Sequence, residues 1–217
     1  KRVLLFLIKN DVFKVDENLM NSIKDQNFPE YFAESYQSDE KHALKKEIGE
    51  NDSHICELIR NDSIDEFIIY ITKTNYTLTN KIQPSIYETN PFLMNKHLTL
   101  LEYAVFFGST KIIKYLLMNK FNLTESLWIF AIHSNNPEII NLLEEQNFAP
   151  QNEKTSHTYL EESIKCHHNE FATYIQENYV QKDDDFDNNN LSFSFRYINY
   201  AKLSEYEINN IFYLQSC

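Results

Sequence analysis

Residues 100–120 read LLEYAVFFGSTKIIKYLLMNK, two short apolar runs pinched around Gly108, one of only two glycines in the 217-residue chain. Leu101, Ala104, Ile112, Ile113, Leu116 and Leu117 recur at helical spacing on either side of it. The stretch therefore predicts helix, sharp turn, helix, with Gly108 supplying left-handed backbone at the joint.

The same pattern returns downstream. In SLWIFAIHSNNPEIINLLEEQNF (126–148), Trp128, Ala131, Ile139, Ile140, Leu142 and Leu143 take matching places at an offset of 27. Asn135 falls where Gly108 stood, and asparagine is the next best residue for left-handed backbone. Pro137 then sits at the start of the second helix, where a missing N–H costs little. A third copy, TYLEESIKCHHNEFATYIQENY (158–179), follows at an offset of 32, with Leu160, Ser163, Phe171, Ala172 and Ile175 in register and His167 at the joint. Upstream, HICELIRNDSIDEFIIYI (54–71) aligns through Ile55, Leu58, Phe67 and Ile71, with Asp62 at the joint. Four amphipathic hairpins whose apolar sides cannot be buried singly predict an all-α solenoid of stacked helical hairpins.

Composition narrows the function. Two glycines cannot build the phosphate-cradling G-x-G-x-x-G or G-x-x-x-x-G-K-[ST] loops, and neither motif occurs. G-x-S-x-G is missing too. A formal charge of −12 opposes nucleic acid and acidic membrane as partners. The longest apolar candidate, VLLFLI (3–8), ends at Lys9, far short of a spanning helix, and no cleavage pattern follows it. Cys56, Cys166 and Cys217 are odd in number and widely spaced, as reduced thiols in a cytoplasmic protein would be. The sequons at Asn51, Asn61, Asn75, Asn122 and Asn190 follow from a composition rich in Asn, Ser and Thr.

The organisation reads as a helical N-terminal cap over 1–48, repeats over 49–180, a polar linker over 181–190, and the start of a further repeat or C-terminal helices over 191–217. An insertion at about 74–97, TNYTLTNKIQPSIYETNPFLMN, bears Pro84 and Pro91 and no steady period. Such a segment is expected to be a binding element or a packed Ω-type loop. The chain is expected to continue beyond its visible ends.

TLLEYAVFFGSTKIIKYLL resembles the ankyrin-repeat pattern at Thr99, Leu101, Ala104, Gly108, Ile112, Ile113, Leu116 and Leu117, with Leu100, Glu102 and Ser109 where that pattern has Pro, His and His. Over about 49–179 the chain is similar to divergent ankyrin-like modules of the kind expanded in protist and large-virus proteomes. The resemblance implies that the two residues before each joint lie on a contact surface. Here these are Arg60 and Asn61, Phe106 and Phe107, His133 and Ser134, Lys165 and Cys166. The function expected is a non-catalytic protein-interaction scaffold, with an unidentified protein partner and no cofactor. The alternative is an architectural subunit of a large cytoskeletal or viral assembly.

Three groups of residues invite a chemical reading beside a plainer one. Cys166, His167, His168 and His157 offer soft ligands, but adjacent residues point apart at a helix end and no ligand pair completes four, so no metal is expected. Asp183, Asp185 and Asp187 open like a calcium loop, but its ninth and twelfth places hold Leu191 and Ser194. A Cys56–His54 or Cys166–His168 nucleophile pair lacks an orienting third residue, so catalysis is not expected.

Overall fold

We describe the chain from a computed structural model, which covers residues 40–119, 121–150, 152–181 and 186–203. Among these residues there are eleven helices and no strand. In chain order they are α1 Glu40–Ile48, α2 His54–Arg60, α3 Ile64–Thr74, α4 Leu100–Phe107, α5 Thr110–Met118, α6 Ser126–Ser134, α7 Pro137–Glu145, α8 Glu153–Lys165, α9 Asn169–Tyr179, α10 Phe186–Arg196 and α11 Tyr200–Leu203. The chain divides into two units, Lys1–Tyr103 and Ala104–Cys217, with the boundary inside α4. Most of the expected N-terminal cap, and Asp183 and Asp185, lie outside the described residues. Residues 186–190 of the stretch expected as linker are helical, belonging to α10.

Backbone chemistry explains the short helices. At the four expected joints φ is positive: 48° at Asp62, 70° at Gly108, 51° at Asn135 and 60° at His167. Ile198, with φ 55°, makes a further joint of the same kind. Each joint N–H donates to the carbonyl three residues back, as from Asp62 to Ile59, Gly108 to Val105, Asn135 to Ile132, His167 to Ile164 and Ile198 to Phe195. The following N–H reaches five back, from Ser63 to Leu58, Ser109 to Ala104, His168 to Ser163 and Asn199 to Ser194. This pair of bonds is the Schellman closure, which satisfies carbonyls that a helix end would otherwise leave bare. At Asn135 a side chain relays the second bond: Asn136 N–H donates to Ser134 Oγ, and that hydroxyl donates to the Ala131 carbonyl.

Starts are encoded as locally as stops. Thr99 and Glu102 form a reciprocal capping box before α4, Glu102 N–H donating to Thr99 Oγ1 at 3.1 Å and Thr99 N–H to Glu102 Oε2 at 2.8 Å. α7 opens on Pro137, with Asn136 as its side-chain cap. Four residues before the last four joints stand Ala104, Ala131, Ser163 and Ser194, all fully buried. Small side chains there let neighbouring helices approach closely. The core of the second unit is completed by Ile112, Ile113, Leu116, Trp128, Ile139, Leu143, Leu160, Ala172 and Ile175.

In the first unit the insertion is packed down. Ile82, Tyr87, Leu93 and Leu98 are buried, and Ile82 N–H donates to the Leu98 carbonyl at 2.7 Å. Polar anchors bind the segment to the turn between α1 and α2: Asn51 Nδ2 donates to the Gln83 carbonyl, Ser85 Oγ to Asp52 Oδ1, and Thr89 N–H and Oγ1 both to the Gly49 carbonyl. Glu88 is buried and accepts from the N–H groups of Asn51 and Asn90. These contacts pack the segment within its own unit.

Candidate functional site

The helix ends that precede the joints present a row of side chains in the second unit. Phe106 lies edge-on to Phe107, with ring centroids 5.1 Å apart, and stacks on His133 at 5.7 Å. His133 Nε2 meets Glu162 Oε1 at 2.8 Å. Cys166 Sγ stands 3.7 Å from His133 Nδ1 and 3.8 Å from Nε2. Lys165 Nζ donates to both Glu162 oxygens at 3.1 Å. The row is thus an aromatic pair running into an imidazole, a carboxylate, an amine and a thiol. All are half-buried except Lys165, which is exposed.

Each member is set in place by its helix. His133 is in the last turn of α6 and Glu162 in the last turn of α8, and these two helices pack together. Glu162 and Cys166, four residues apart, project from one face of α8. The hydrogen bond from His133, then the charge and hydrogen bonds of Lys165, hold the Glu162 carboxyl below its usual range. Burial, reinforced by the Glu162 charge, pushes the Cys166 thiol up to about 11, so at neutral pH it is protonated and not an activated nucleophile. Cys56, fully buried, is likewise raised to about 11 by burial.

The histidines offered as partners of these thiols are otherwise engaged. His168 Nδ1 bonds to the Ile132 carbonyl at 2.7 Å, and His54 sits 3.3 Å from Glu57. His157 lies 3.9 Å from Glu153. The His168 bond has a counterpart one unit on: Asn199 Nδ2 donates to the Ile164 carbonyl at 2.9 Å. In both cases the side chain just after a joint bonds the carbonyl three residues before the preceding joint. The two bonds thus join equivalent places around successive joints.

Of the remaining expected surface residues, Ser134 is occupied in the relay at the Asn135 joint. Arg60, in the first unit, points into that unit, donating from Nη1 to the Asn51 carbonyl and the Tyr103 hydroxyl, both at 2.8 Å, and pairing through Nε with Glu50. Asn61 is an exposed helix cap. Sequence reasoning missed Glu162, and also Arg196 and Tyr197, which precede the Ile198 joint and meet on Glu161 Oε1 at 3.1 and 2.7 Å. The signal for the latter pair was spacing, since Ile198 follows His167 by 31 residues.

No helix among the described residues is long and apolar enough to cross a membrane. No protein-family model, curated protein or solved structure matches the chain.

Proposed function

We propose that the chain is a non-catalytic interaction scaffold, a divergent ankyrin-like solenoid whose contact face is the row running from Phe106 and Phe107 through His133 to Lys165 and Cys166. One observation supports this most: chemically varied side chains, half-buried except for Lys165, occupy equivalent places before successive joints, on a frame whose backbone bonds repeat. A frame that holds its shape spends little entropy on ordering when a partner binds, and a few aromatic or charged anchors then supply most of the affinity. Phe106 and Phe107 are those anchors, and the imidazole–carboxylate–amine group beside them confers orientation.

The test is affinity purification of the full-length protein, wild type against Phe106→Ala with Phe107→Ala, followed by identification of retained proteins. The expected outcome is a protein retained by the wild type and at least tenfold depleted with the double variant, as loss of about 2 kcal/mol at an anchor would give. Co-sedimentation with a large assembly through moderate salt would move the reading to an architectural subunit. Turnover of a small molecule without any stable protein partner would sink it.

A further inference from the structure

We propose that His133, Glu162 and Cys166 form a zinc site. One imidazole, one carboxylate and one thiol offer ligand atoms that all lie within 4.8 Å of one another. This set differs from the adjacent Cys166, His167 and His168 that the sequence displays. It joins residues 29 and 33 positions apart, from two helices packed together.

The distances suit the ion. Zinc binds nitrogen and oxygen at about 2.0–2.2 Å and thiolate at about 2.3 Å, so neighbouring ligand atoms of a tetrahedron stand roughly 3.3–3.8 Å apart. His133 Nε2 and Cys166 Sγ are 3.8 Å apart, but Sγ is as near to Nδ1, at 3.7 Å, so it stands to the side of the Nε2 lone pair and the Cys166 side chain must rotate toward Glu162 for both to share an ion. Nε2 and Glu162 Oε1, at 2.8 Å, must open by roughly half an ångström, which a small rotation of the Glu162 side chain supplies. The side chains of His133 and Glu162 are only 17% and 16% exposed, so little water competes for the donors, yet the cluster is open enough for an ion to enter. Phe106, stacked on the imidazole, limits the ring's rotation.

Charge balances on binding. The Zn–S bond forms as the Cys166 thiol gives its proton to solvent, so thiolate and carboxylate together offset the two positive charges of the ion. Lys165, whose side chain is 47% exposed, leaves Glu162 for water. Three protein ligands leave a fourth position for water or for a donor from a bound molecule. The site shares His133, Glu162 and Cys166 with the proposed contact face, but it is argued from ligand geometry and its test reads metal binding alone.

The experiment uses the full chain, stripped of metal and titrated with zinc against a chromophoric chelator, and in parallel with cobalt(II) as a spectroscopic probe. We expect one equivalent bound per chain, with a thiolate-to-cobalt charge-transfer band. Cys166→Ser, nearly isosteric, should abolish that band and weaken zinc at least tenfold, while Cys217→Ser leaves both unchanged. His133→Gln should weaken zinc to a similar degree, with circular dichroism and thermal melting checking its fold. Absence of stoichiometric binding at micromolar zinc overturns the proposal, as does binding indifferent to Cys166→Ser. Neither result bears on whether a protein partner binds.

Discussion

Residues 104–203 and residues 75–99 meet the same demand, partners for every buried backbone polar group, by opposite means. In the first stretch the answer is periodic: a left-handed residue stands at each of the joints 108, 135, 167 and 198, and the side chain after the last two reaches a carbonyl before the preceding joint, as in His168 and Asn199. In the second it is aperiodic: Asn51, Asp52, Glu88 and Thr89 each make a bond that occurs once. A periodic solution shows in sequence as repetition. An aperiodic one leaves only individual polar residues whose partners are far away in the chain.

The largest expected effect tests whether a periodic link is worth more than an aperiodic anchor. Asn199 is fully buried and makes three bonds, donating to the Ile164 carbonyl and to Asn169 Oδ1 and accepting from Lys202 N–H. Asn199→Ala leaves buried groups bare and should cost about 2–3 kcal/mol in chemical denaturation. Asn51→Ala, which removes the donation to Gln83 and the acceptance from Ser53 N–H, should cost about 1–2 kcal/mol. Hydrogen exchange should then quicken within residues 81–90. Equal costs with equally local exchange would erase the distinction.

How much the sequence disclosed follows from the same contrast. Left-handed backbone admits few residue types, so Gly108, Asn135 and Asp62 announce joints through chemistry alone. Ile198 does not, because a β-branched residue is among the worst choices for φ 55°, and only its spacing and the buried Ser194 before it mark the place. The row of side chains before the joints was legible in part. Phe106, His133 and Cys166 stand at predictable places, but Glu162 joins them only because α8 packs on α6, a fact of three-dimensional packing. Arg60 differs from these: its place before a joint predicts a contact residue, and its guanidinium bonds a buried tyrosine hydroxyl and a carbonyl within its own unit.

Two joints with opposite chemistry should respond oppositely to mutation. At Gly108, φ is +70° and an added Cβ would stand 3.4 Å from Asn136 Nδ2. Gly108→Ala should therefore destabilise by about 1 kcal/mol, the left-handed cost exceeding the entropy gained in the unfolded chain. Ile198 is 60% exposed, so Ile198→Gly loses little burial and relieves the strained backbone, stabilising by up to about 1 kcal/mol. Thermal melts of the two variants should shift in opposite directions. A fall in both would show that the Ile198 side chain does more than its exposure indicates.

The smallest effect separates the two stretches by pH. Glu88, in the insertion, is raised above its ordinary value of 4.5 chiefly by burial, which outweighs the bonds from Asn90 and Asn51 N–H. Glu162, in the row, is lowered from the same value chiefly by its hydrogen bond from His133. The two therefore act on stability with opposite sign. Ionised Glu162 favours the folded chain above pH 4.5, and that contribution is lost as pH falls through its lowered folded value. Glu88 opposes folding above its raised value, and the penalty lifts as pH falls from there to 4.5. Carbon-detected NMR titration of the side-chain carboxyls should place the Glu88 midpoint above 4.5 and that of Glu162 below it. Glu162→Gln should flatten the loss of stability on the acid side of 4.5 without touching the Glu88 midpoint. Reversed midpoints would mean that hydrogen bonding, not burial, governs the insertion, and that its anchors resemble the periodic links after all.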